Sequence, residues 1–170
     1  MGKAELDPKN IPVAMEMDKI VNEPVTIDGK DYNITCVSMG NPHCIVFVDQ
    51  DVSTLDLPKI GPSFENHDMF PERINTEFIR VMDDHTLQMR VWERGSGATL
   101  ACGTGACACA AAAVLTGRCA RSVPILVQMP GGTLEVQVLR DDTLLLTGDA
   151  AATFSGTALI QPCKAPPGVV

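Results

Sequence analysis

Cys102 sits inside the run Trp92-Glu93-Arg94-Gly95-Ser96-Gly97-Ala98-Thr99-Leu100-Ala101-Cys102-Gly103-Thr104-Gly105-Ala106. Glycines and a serine surround what reads as a strand-to-helix turn, with the cysteine at the helix start. The amides of a first helical turn lack partners, and with the positive end of the dipole they favour an anion. The same surroundings lower a thiol from about 8.5 toward neutrality. One geometry would therefore bind a carboxylate and activate Cys102.

Other readings of the same run stand beside this one. A phosphate-binding turn needs Gly-x-Gly-x-x-Gly or Gly-Lys-Ser/Thr, and neither is present. Tight packing of a buried helix would also account for the small residues. A zinc site would need ligands three or four apart on a helix, but Cys107 and Cys109 are two apart and point to different faces. They read as small core residues, and no metal is expected. A second polar group, Met39-Gly40-Asn41-Pro42-His43-Cys44, places Asn41 and His43 at a strand mouth, where sites are often built. Glu93 and Arg94 abut the cysteine loop. His67 and His85 fall in polar turns and carry no role.

The elements that must hold these residues are mostly strands. Ile11 to Met17, Tyr32 to Ser38 and Cys44 to Val48 read as short strands, with a hairpin at Asp28-Gly29. Phe78 to Met82 and Leu87 to Trp92 form a pair turned by Asp83-Asp84-His85. Ile125 to Met129 and Leu134 to Leu139 form another about Pro130-Gly131-Gly132. Leu144 to Thr147 follows Asp141-Asp142, and Thr153 to Ile160 is expected to close the sheet. Pro58 to Arg73 reads as a short helix plus loop. Gly103 to Leu115 is nearly all Ala, Cys, Gly and Thr, the composition of a helix buried on every side, and Gly117 suits its left-handed cap. The spacing predicts an α+β fold, a mixed or antiparallel sheet wrapped around a buried central helix. Residues 1–160 would form one domain and 161–170 a flexible tail.

Composition narrows the partners. Hydrophobic residues make up 45% and charged residues 20% of the chain, ordinary values for a globular protein. A net charge of -8 opposes nucleic acid and anionic lipid, so neither is an expected partner. Seven cysteines, three of them crowded at Cys102, Cys107 and Cys109, suit a reducing compartment better than a disulfide framework. The start, Met1-Gly2-Lys3-Ala4-Glu5, precedes no apolar stretch, and no run has the length of a membrane span. A cytoplasmic location is expected.

Taken in order, Ser38-Met39-Gly40-Asn41-Pro42-His43-Cys44, Gly61-Pro62 with Glu65-Asn66-His67, Phe70-Pro71 leading to Asn75 and Phe78, Trp92-Glu93-Arg94-Gly95 and Ala101-Cys102-Gly103-Thr104-Gly105-Ala106 resemble the diaminopimelate epimerase family. The resemblance runs over residues about 35 to 158, and its last two motifs are specific. It implies a two-base mechanism without pyridoxal phosphate or metal, in which a thiolate removes the α-proton from one face and a thiol supplies one to the other. Carried over, Cys102 is one acid/base, and the amides of Cys102, Gly103 and Thr104 hold the reacting carboxylate. Arg94, Asn41 and Asn75 would grip the distal carboxylate. Glu93 would take the distal ammonium, and Glu93 or His43 would assist proton transfer. The implied reaction interconverts LL- and meso-diaminopimelate in lysine and peptidoglycan precursor biosynthesis.

The family's second cysteine lies in a Cys-Gly-Asn-Gly motif of an N-terminal half, and the only Cys-Gly dipeptide here is Cys102-Gly103. The resemblance therefore implies a C-terminal half, inactive alone, whose partner is the missing half or a second chain. Apolar surface left bare by that absence would also support a homodimer. Another amino-acid epimerase of the same fold, and a non-catalytic binding or assembly domain, are the alternatives.

Overall fold

Paired turn residues set most strand boundaries. The computed structural model describes residues 1–159. In chain order its elements are β1 (Gly2–Lys3), β2 (Glu23–Ile27), β3 (Lys30–Ser38), β4 (Pro42–Phe47), α1 (Leu57–Glu65), β5 (Asn75–Asp83), β6 (Thr86–Glu93), β7 (Gly97–Thr99), α2 (Gly103–Leu115), β8 (Pro124–Met129), β9 (Gly132–Val138) and β10 (Thr143–Thr147). A single 3-10 turn covers Val52–Thr54. The turns at Asp28-Gly29, Asp84-His85, Pro130-Gly131 and Asp141-Asp142 fall where the sequence predicts them.

The ten strands form one sheet in the order β1-β10-β9-β8-β6-β5-β4-β3-β2, with β7 pairing β6 off this path. β4 runs parallel to β5 and β6 parallel to β8, while the other neighbours are antiparallel. The fold is α+β with a mixed sheet, as expected. Strand alternation gives the sheet two apolar faces. Val37, Ile45, Ile79, Met89 and Val91 pack with α2, whereas Ile34, Val46 and Phe78 join the α1 side with Phe64.

α2 touches β3, β4, β5, β8, β9 and β10, so the sheet curls round it. Every residue from Gly105 to Ala113 is buried. A buried methyl contributes only about 0.8 kcal/mol against about 1.5–3 for a larger apolar side chain. The strands' Ile, Val and Leu therefore supply most of the burial energy, and alanine's contribution is its narrowness and helix propensity. At the helix end the Arg118 amide donates to Ala113 O at 2.8 Å and the Gly117 amide to Val114 O at 3.1 Å. This is the paired-bond cap that needs a left-handed residue, and Gly117 has φ 70°.

Two expected strands are not formed. Ile11 to Met17 is an irregular segment: Ile11 and Val13 are buried, but Pro12 has no N–H to give a ladder. Residues 153–159 have no regular structure and are exposed, and the sheet edge at β10 is covered by β1 instead. The expected end of that strand, Ile160, and the expected tail lie outside the described residues.

Candidate functional site

Three neighbouring strands end at one place. His43 of β4 lies opposite Asn75 of β5, and Thr76 lies opposite Trp92 of β6. By that register Asn75 faces Glu93, so the start of β4, the start of β5 and the end of β6 are side by side. His43, Asn75, Glu77 and Glu93 share the parity of Ile45, Ile79 and Val91, the residues that pack on α2. Alternation alone thus turns four polar side chains toward the helix.

Cys102 caps that helix. Its backbone is extended (φ -144°, ψ 109°), and its Sγ accepts from the Gly105 amide at 3.3 Å and lies 3.5 Å from Thr104 Oγ1. The amides of Gly103 and Thr104 precede the point where intrahelical bonding begins. Cys102 is 8% exposed, and this reverses one expectation. Burial pushes the Cys102 thiol up, not toward neutrality. The Thr104 hydroxyl pulls it down, the Glu77 charge raises it, the Gly105 amide lowers it and Glu93 raises it. Two hydrogen bonds are outweighed by loss of water and two nearby carboxylates.

His43 is wholly buried and bonded at both ring nitrogens. Nδ1 lies 2.7 Å from Glu77 Oε1 and Nε2 lies 3.0 Å from Asn41 Oδ1. Each ring nitrogen thus faces an oxygen able to accept from a ring N–H, a carboxylate at Nδ1 and an amide carbonyl at Nε2. Asn41, with its oxygen engaged, is left with its NH2 to offer. The second oxygen of Glu77, Oε2, is buried without a partner among the described residues. Glu77 also explains a glycine: a Cβ at Gly105 would lie 2.6 Å from Glu77 Oε1 and 3.2 Å from Cys102 Sγ. Carboxylate and thiol face each other across that one residue.

Asn75 is a bracket. Its Nδ2 donates to Pro42 O at 2.8 Å, and its Oδ1 accepts from the Arg94 amide at 2.8 Å, tying β4 to the turn after β6. One Nδ2 proton remains. Arg94 is half-buried, and its guanidinium donates to Glu72 O at 2.9 Å in an exposed bond. Glu93 accepts from the Thr99 hydroxyl across the β6–β7 pair.

The structure brings Asn41, His43 and Cys102 into one cluster through Glu77, and joins Asn75 to Arg94, with Glu93 close enough to Cys102 to act on its charge. Glu77 is the residue the sequence reading missed. Its signal was a lone carboxylate in the buried run Asn75 to Ile79. His67 and His85 stand apart. Clefts of about 590 and 570 Å³ lie elsewhere, one beside Leu6, Ala111 and Leu144, the other beside Tyr32, Phe47 and Arg118. Among the described residues, one grouping has the spacing of cation ligands, Asp83, Asp84 and His85 on an exposed turn. No described helix is long and apolar enough to cross a membrane.

Residues 35–153 match the family model described as diaminopimelate epimerase. The diaminopimelate epimerase of Synechocystis sp. is 51% identical over 163 residues, covering 94% of this chain and 57% of that protein. That of Desulfitobacterium hafniense is 47% identical over 159 residues, covering 94% of this chain and 55% of that protein. The chain spans about half the length of the curated relatives it matches. In fold it resembles a hydroxyproline epimerase from Agrobacterium vitis, solved with bound trans-4-hydroxy-L-proline, at a TM-score of 0.50 and 12% identity, covering 74% of this chain and 44% of that one.

Proposed function

The chain belongs to the diaminopimelate epimerase family, and from that membership we propose that it supplies one acid–base face of a two-base amino-acid epimerase acting on diaminopimelate. The observation that carries it is Cys102 at the cap of a buried helix, with its sulfur on the Gly105 amide and the polar ends of three strands beside it.

At rest Cys102 is a thiol, the form burial favours, and a thiol is the proton donor of the pair. A thiolate on the facing half takes the α-proton from one side while Cys102 delivers its proton to the other. The products are the inverted α-carbon, a Cys102 thiolate and a neutral partner thiol; the reverse direction exchanges the two roles. The Gly103 and Thr104 amides meet the substrate's reacting carboxylate and stabilise the charge that grows there. The Asn41 NH2, the remaining Asn75 proton and the Arg94 guanidinium hold the distal carboxylate. Glu93 takes the distal ammonium. His43, sealed from solvent, assists from behind by fixing Asn41, and no metal or organic cofactor takes part.

The facing half supplies the second cysteine. Leu100, 69% exposed two residues before Cys102, is an apolar side chain suited to being covered by it. The enzyme would be cytoplasmic and serve lysine and peptidoglycan precursor biosynthesis. The test is α-proton exchange of diaminopimelate in deuterated water. The chain alone is expected to give none, and the complete two-half enzyme to exchange in a manner abolished by Cys102→Ala. Exchange that survives Cys102→Ala would overturn the assignment.

A further inference from the structure

Glu65, the last residue of α1, is 7% exposed and receives three donors that the reaction does not use. The Trp92 indole Nε1–H donates to Oε2 at 2.7 Å, the Gly95 amide donates to Oε1 at 2.8 Å, and Arg73 Nη1 donates to Oε1 at 3.1 Å. Arg73 is 54% exposed and is the weak member. The indole reaches the helix end because Gly61 has no side chain: a Cβ there would lie 2.3 Å from Trp92 Cδ2. Beyond Trp92 the chain turns, with the Ser96 amide on Glu93 O at 3.0 Å and the Arg94 amide on Asn75 Oδ1 at 2.8 Å. Glu93 and Arg94 are thus bounded on both sides by residues that Glu65 holds.

We infer that Glu65 is the positioning residue for the Glu93–Arg94 turn, clamping Trp92 and Gly95 so that the guanidinium is presented to the substrate's distal carboxylate. A fork-shaped donor gains from such fixing because bidentate recognition of a carboxylate depends on angle as well as distance. The inference rests on the proposed function only for what Arg94 grips, while the clamp itself stands on geometry.

Trp92 and Gly95 donate to different oxygens of Glu65, and Glu65→Gln turns one of those oxygens into an NH2, so it must release Trp92 or Gly95. In the ¹⁵N-labelled chain, whose sole tryptophan gives a single indole resonance, the Gly95 amide should exchange at least about tenfold more slowly than an unstructured amide. In the variant, Gly95 protection or the indole shift should be lost while α2 amides stay protected. Free exchange at Gly95 in the unaltered chain, or a variant in which both signals persist, would refute the clamp. In the complete enzyme Glu65→Gln should raise KM about tenfold with kcat within about twofold. If Arg94→Ala raises KM and Glu65→Gln does not, the positioning role falls. If Arg94→Ala leaves KM unchanged, the substrate assignment falls and the two spectral signals still decide the clamp.

Discussion

His43 Nδ1 lies 2.7 Å from Glu77 Oε1, and both side chains are fully excluded from solvent. The pair joins adjacent parallel strands behind the cysteine; among the described residues His43 is the side chain that compensates the Glu77 carboxylate, while His43 also reaches Asn41 Oδ1. Removing one partner of such a pair leaves an uncompensated polar group in the interior and typically costs about 3–5 kcal/mol, whereas replacing both with apolar residues is often close to neutral. Chemical denaturation of His43→Leu, Glu77→Leu and the double variant should therefore show two severe losses and a partial recovery. Additive losses would mean that the pair is not coupled.

Gly105→Ala sets two effects against each other. Alanine in a helix is favoured over glycine by about 1 kcal/mol. The new methyl would meet Glu77 Oε1 at 2.6 Å, and Glu77 is backed by His43 and has little room to move. Overpacking of about 1–3 kcal/mol should win, giving a lower melting temperature. A stabilised variant would show that the carboxylate yields.

Asn75→Asp preserves shape and changes one group. The amide that donates to Pro42 O becomes an oxygen facing an oxygen, at a residue only 4% exposed. An unsatisfied buried acceptor costs about 1–3 kcal/mol. The variant should be destabilised by that order in denaturant titration, and an unchanged midpoint would show that the bond to Pro42 O contributes nothing.

Alkaline pH should weaken the fold. Burial pushes up the thiols of Cys44, Cys102, Cys109 and Cys119, and Cys107 to about 11. Unfolded thiols ionise near the ordinary value of 9.0 while the folded ones stay protonated. Stability is thus complete below pH 9 and falls as pH rises above it, by about 1.4 kcal/mol per pH unit for a fully buried thiol such as Cys109. Melting temperatures at pH 8 and 10 should differ, and Cys109→Ala should reduce the difference. An unchanged difference would exclude Cys109 as a contributor.

Much of this architecture was legible because local chemistry decides it. Asp28-Gly29 and Pro130-Gly131-Gly132 can hardly be anything but turns, and a helix of alanines can be stable only when enclosed. The alternation in Ile11, Val13 and Met15 was also genuine, since Ile11 and Val13 are buried. It signalled burial without pairing, because Pro12 breaks the donor series and the segment's bonds go elsewhere, such as the Ala14 amide to Met69 O. β1 and β7 span two and three residues, too short to carry a period. Glu77 stayed hidden for a different reason. Its partner is 34 residues away, and only the parallel register of β4 on β5 places His43 diagonally beside it. The direction of the Cys102 shift was misjudged because dipole and amides are visible in a sequence, whereas the dryness around a sulfur is not.

A rod that is greasy all the way round has no preferred spin about its own axis. The hydrophobic effect that seats α2 inside the sheet would accept it at any rotation, because every side of it is equally content in the interior. What decides which way the Cys102 end is aimed must then be steric, and the missing side chain at Gly105 supplies a notch into which the Glu77 carboxylate fits. Glu77 acts as the key that stops the rod from turning, so the aim of the thiol is set by a tooth and a groove.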